Sequence, residues 1–138
     1  VPVALDREGV VFPLPDGTAG INMPIISGIT MESYGMGAKI PAMYIPYLRN
    51  LEQIYGNDSR FLEQISEIRF LEKTGSTFDV ILYPTEGNIR IRTGNSIDNS
   101  LLRQAFLVID VMEKNGLSSE TEELDFRNGR VVYKVKEG

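Results

Sequence analysis

Near its end the chain reads Glu123-Leu124-Asp125-Phe126-Arg127-Asn128-Gly129-Arg130-Val131-Val132-Tyr133-Lys134-Val135. Two runs of alternating apolar and polar residues flank an Asn-Gly pair, which accepts the positive φ of a tight hairpin turn better than almost any other dipeptide. A segment with period-two alternation on both sides of such a turn has few alternatives to a β-hairpin. Its second strand, Arg130–Val135, stops almost at the chain end and is expected at a sheet edge. Unpaired N–H and C=O groups on an edge form a template for a strand of another protein. The chain therefore reads as a docking module before it reads as an enzyme.

Composition narrows the choices. The 138 residues fit one domain, 1–138, and are enough to bury a sizeable core. A net charge of -5 argues against the phosphate neutralisation that drives nucleic-acid binding, and against attraction to anionic lipid. With no cysteine and no histidine, the chain lacks a disulfide framework, a thiolate nucleophile, a Ser-His-Asp triad and almost every zinc site. No stretch approaches the roughly 20 apolar residues of a spanning helix, so this segment is not expected to insert in a membrane, and no signal peptide is visible. The sequence begins at Val1 in a strand-like run without an initiator Met, which suggests an excised domain.

Along the chain, Val1–Leu5 and Val10–Phe12 read as a hairpin closed by Asp6-Arg7-Glu8-Gly9. Phe12–Ser27 is punctuated by Pro13, Pro15, Gly17, Gly20 and Pro24 and reads as loop, with a short extended piece near Pro24–Ile26. Gly28–Lys39 reads as a connection. Ile45, Leu48, Leu51 and Ile54 repeat at helical spacing, which predicts a helix over Ile40–Tyr55 ended by Gly56-Asn57. Pro46 requires either a start near itself or an earlier turn from Pro41 joined at a kink. A helical turn at Ser59–Glu63 precedes strands at Ile65–Glu72, Phe78–Tyr83 and Asn88–Thr93, the last two joined by Pro84-Thr85-Glu86-Gly87. Asp98–Asn115 is the clearest helix, with Leu101, Leu102, Ala105, Phe106, Ile109 and Met112 on one face and Asp98 or Ser100 as cap. The whole order predicts an α+β domain: a mainly antiparallel twisted sheet, two principal helices on one face, and the terminal β-hairpin at the sheet edge.

Few residues suggest chemistry. Asp6-Arg7-Glu8-Gly9 lacks the ligand spacing and final bidentate Glu of a calcium loop, and the glycine-containing runs match no phosphate-binding motif. Neither metal nor cofactor is expected. Glu113, Glu120, Glu122, Glu123 and Asp125 could supply the paired carboxylates of a carbohydrate- or cell-wall-acting enzyme, but only if two of them share a cleft; the plainer reading is a solvated acidic loop. Arg90 and Arg92 share one strand face, either paired to local acids or forming a basic patch for an acidic partner. Tyr34, Tyr44, Tyr47 and Tyr55 read as core or boundary residues.

Several segments together resemble a known family. Val1–Leu5 followed by Asp6-Arg7-Glu8-Gly9-Val10-Val11-Phe12 is similar to the start of the β domain of the FtsQ/DivIB cell-division proteins. Met23-Pro24-Ile25-Ile26-Ser27-Gly28 matches that family's P-x-I-S-G type run, and Leu124-Asp125-Phe126-Arg127-Asn128-Gly129 its hydrophobic-D-L-R segment, with Phe126 for the usual Leu. The resemblance covers nearly the whole chain. It implies a non-catalytic divisome domain on the extracytoplasmic (periplasmic) face of the bacterial cell membrane, at the septum. The parent would be a single-pass membrane protein, with its membrane segment and POTRA domain outside this sequence. The implied partners are FtsB/FtsL-like proteins, recruited by strand addition to the terminal strand. Carried over by position, the partner-binding residues are Arg127, Asn128, Gly129, Arg130, Val131, Val132, Tyr133, Lys134 and Val135. Proline at Val132 or Lys134 is then expected to abolish partner binding and spare the fold.

Overall fold

The computed structural model describes residues 4–5, 11–12, 23–29 and 37–137, the first two pairs as backbone only. β1 (Ala4–Leu5) pairs antiparallel with β2 (Val11–Phe12), as the first hairpin requires; its turn lies outside the described residues, as do Tyr34 and most of Gly28–Lys39. A second sheet has six strands in chain order: β3 (Ile25–Ser27), β4 (Ile65–Lys73), β5 (Thr77–Pro84), β6 (Arg90–Thr93), β7 (Thr121–Asp125) and β8 (Val132–Val135). Three of its neighbouring pairs are antiparallel, while β3–β4 and β6–β7 are parallel.

Parallel neighbours need a crossover, and the helices supply it. A 3-10 turn (Ala42–Tyr44) runs into α1 (Ile45–Asn57) and then α2 (Arg60–Glu63) between β3 and β4, and α3 (Asn99–Lys114) links β6 to β7. Both crossovers step the same way between strands of one direction, so the right-handed rule requires both on one sheet face. One core cluster shows this arrangement, joining Tyr47, Leu48, Leu51 and Ile54 of α1 and Leu102, Ala105, Ile109 and Met112 of α3 to Ile68, Phe70, Val80, Leu82, Ile91 and Leu124 of the sheet.

Local chemistry accounts for the element ends. Pro46 sits in the first turn of α1, where its missing N–H costs nothing, and the 3-10 turn from Pro41 feeds that start. Asp98 caps α3, its carboxylate accepting the Leu101 N–H at 2.7 Å. Gly28 has φ 81° beside β4, and a β-carbon there would overlap the Phe70 carbonyl oxygen, so glycine lets β3 leave the sheet close to its neighbour. Tyr44 and Tyr47 meet Phe70 and Phe78 edge-on, with Tyr44–Phe70 centroids 5.0 Å apart. Tyr55 is exposed. No helix among the described residues is long and apolar enough to cross a membrane.

Candidate functional site

β8 is the last strand of the sheet and pairs with β7 alone among the described residues. The terminal hairpin exists with a longer connection than an Asn-Gly turn alone, since Asp125 pairs with Val132 and residues 126–131 lie between. Phe126 is buried and Val131 packs against the core, so the chain dips inward before β8 begins; Arg130 and Val131 precede the strand rather than open it. Gly129 carries the positive φ, 76°.

Backbone alternation shows which groups of β8 face outward. The Phe126 N–H donates to the Arg92 carbonyl at 2.9 Å, so Phe126 and Leu124 point their backbone at β6, while Glu123 and Asp125 point theirs at β8. Their opposites, Lys134 and Val132, therefore bond back to β7. The Lys136 N–H donates to the Glu120 carbonyl at 2.7 Å, in phase with this pattern. The backbone groups of Tyr133 and Val135 are left directed at the open side. Proline at Val132 or Lys134 would thus remove a donor of the hairpin itself, contrary to the sequence expectation; Val135 is the position where proline removes an outward donor. The side chains are open too: Val132 is 58% exposed on one face, and Tyr133 60% and Val135 51% on the other, along a strand with no outer neighbour among the described residues.

The sheet face opposite the helices carries charge. Asp79 and Glu123 are each only 5% exposed. Glu123 accepts from Arg90 Nε at 2.9 Å and from Arg92 Nε at 3.1 Å; Asp79 accepts from Arg92 Nη1 at 3.2 Å and Arg127 Nη1 at 2.8 Å, with Lys73 at 3.5 Å. Arg127 also forks onto Asp125, with Nη2 at 2.6 Å and Nε at 3.0 Å. Lys134 lies 3.9 Å from Glu122, which Arg90 contacts at 3.3 Å. Burial pushes the Glu123 and Asp125 carboxyls up, but the arginine hydrogen bonds outweigh it and hold both below the ordinary carboxylate range. On the β3 side Ser27 donates to Glu67 at 2.5 Å, and Arg69 pairs with Glu67 and stacks over Tyr83.

Arg90 and Arg92 do share one face, and both are engaged by acids of their own chain. Glu122, Glu123 and Asp125 stand in a strand rather than in a solvated loop, because β7 begins at Thr121. The fork of Arg127 is engaged by Asp125 and Asp79 of its own chain, while the side chain stays partly exposed. Asn128, Gly129 and Arg130 are exposed in the connection. The residue that sequence reading missed is Asp79, on which three cations converge; its signal is a lone acid inside Phe78-Asp79-Val80-Ile81-Leu82. Elsewhere two adjoining shallow depressions of about 280 and 290 Å³ flank α3 and share Glu86, Ile109 and Glu113. Among the described residues no group of three acidic side chains could hold a metal ion.

Comparison of the chain with family models, curated proteins and solved structures finds no match.

Proposed function

We propose that this chain is a non-catalytic docking domain of FtsQ/DivIB type, which receives an FtsB/FtsL-type segment as an added strand on β8. On this reading it acts outside the cytoplasmic membrane at the division septum, in a parent protein held by one membrane helix. The observation that carries the reading is the β8 edge: a strand with no outer neighbour among the described residues, its Tyr133 and Val135 backbone directed outward and three apolar side chains half exposed. Strand addition would satisfy those backbone groups regardless of sequence, while Tyr133 and Val135 on one face and Val132 and Lys134 on the other would select the partner's side chains. Two of the carboxylates offered for catalysis, Glu123 and Asp125, favour this reading over a paired-carboxylate enzyme built on them. A general acid needs its carboxyl pushed up, whereas Glu123 and Asp125 are held down and locked to arginines.

The test is isothermal titration of the domain with an FtsB/FtsL-type peptide. Val135→Pro should weaken binding at least about tenfold, the loss of a main-chain bond plus one apolar contact, with the circular dichroism spectrum unchanged. Binding of wild type and Val135→Pro with equal affinity overturns strand addition at this edge.

A further inference from the structure

We infer that Arg127 and Asp79 form a latch that holds the terminal hairpin against the sheet, so that both are positioning residues for the β8 edge. This inference rests on the docking reading for its purpose, though not for its geometry. All four residues of β8 are exposed, so the strand contributes little apolar burial to its own retention. A hairpin of two strands is marginal by itself in water. What ties the connection down is Phe126 and Val131 in the core and, on the opposite face, one guanidinium. Arg127 Nη1 reaches past β6 to Asp79 in the middle of the sheet, 48 residues away in sequence, while its other two donors grip Asp125 at the end of β7. The planar fork is rigid, so the two carboxylates together fix where the chain turns out of β7. That turn sets the register in which Val132 meets Asp125.

Asp79 makes the inference separable from direct contact. It lies in β5, with β6 and β7 between it and β8, and is nearly inaccessible. A strand added outside β8 cannot touch it. If Arg127 served a partner by direct contact, Asp79 would be irrelevant to docking; if Arg127 is a latch, the two residues act as one unit.

Amide hydrogen exchange of the free domain tests this without any partner. Arg127→Gln and Asp79→Asn should each speed exchange of the Val132 and Lys134 amides about tenfold and leave the β4 and β5 amides as they are. The double variant should be no faster than either single one. Arg127→Lys, which keeps charge but loses the fork, should behave like Arg127→Gln. Unchanged exchange at Val132 and Lys134, multiplying effects in the double variant, or equal acceleration across the whole sheet would each overturn the latch. A peptide titration of the same variants separates the two readings. Hairpin loosening without peptide binding by wild type sinks the docking reading alone; binding that falls with Arg127→Gln but not with Asp79→Asn sinks the latch alone.

Discussion

The two faces of the six-stranded sheet bury their residues by opposite means. Toward the helices, Ile68, Phe70, Val80, Leu82, Ile91 and Leu124 are removed from water against α1 and α3, with an aromatic quartet at one end. On the far face Ile81 is buried as well, but beside it stand two buried acids, Asp79 and Glu123, each surrounded by cations. The first face is stabilised by removal of apolar area, which is undirected and tolerates local repacking. The acids of the second add stability only while each keeps its partners, because a buried ion left alone costs more than the pair returns. The apolar face therefore determines that the sheet and helices hold together, and the ionic face determines how strand ends and the terminal hairpin are set.

The largest test strikes the apolar face. Phe70→Ala removes the ring that both Tyr44 and Tyr47 meet and should lower stability by about 3–5 kcal/mol in urea unfolding. A loss below about 1 kcal/mol would mean that the core is not built around that ring. The ionic face should respond less. Glu123→Ala takes one acid from Arg90 and Arg92, but Arg90 keeps Glu122 and Arg92 keeps Asp79, and both arginines are partly solvated. About 2–3 kcal/mol is expected, below the full cost of an orphaned buried charge, and Glu123→Gln should recover part of it. A loss equal to that of Phe70→Ala would erase the distinction between the faces.

The smallest effect is that of pH. Glu123 and Asp125 have carboxyls held below their unfolded values. The stability they contribute is therefore complete above about pH 5 and is lost as pH falls through their lower folded values. Thermal melts should show this decline in acid, flattened by added salt most strongly for the half-open Asp125–Arg127 pair. Stability that rises on acidification through that range would contradict the ion pairs. The tyrosine–threonine bond inside the apolar face, Tyr47 to Thr93 at 2.7 Å, should be indifferent to the same change, since burial pushes the Tyr47 hydroxyl well above its ordinary value.

Much of this architecture was legible in the residues. The spacing of Leu48, Leu51 and Ile54 and of Leu102, Ala105, Ile109 and Met112 marks two helices because a 3.6-residue period needs only local order to declare itself. Asp98 is legible as a cap for the same reason, its bond reaching only to Leu101. Alternation around Asn128-Gly129 marks the last hairpin, though not the six-residue length of its connection, which depends on Phe126 finding room in a core formed by other segments. Arg90 and Arg92 are legible as sharing a face, but nothing local says that Glu123 lies beside them, because that contact requires β6 and β7 to be parallel neighbours joined through α3.

The sequence by itself thus determined the elements, the apolar face of each and the existence of a strand pair at the chain end. Those properties follow from side-chain periodicity and from turn residues whose backbone preferences act within a few positions. Only the tertiary structure places β8 outermost among the described strands, aims the Tyr133 and Val135 backbone away from the sheet, and brings Lys73, Arg92 and Arg127 together on Asp79. Those depend on strand order and on the phase of the hydrogen-bond ladder. A hydrogen bond between residues 79 and 127 leaves no periodic trace in a chain whose alternation would look the same in any strand order.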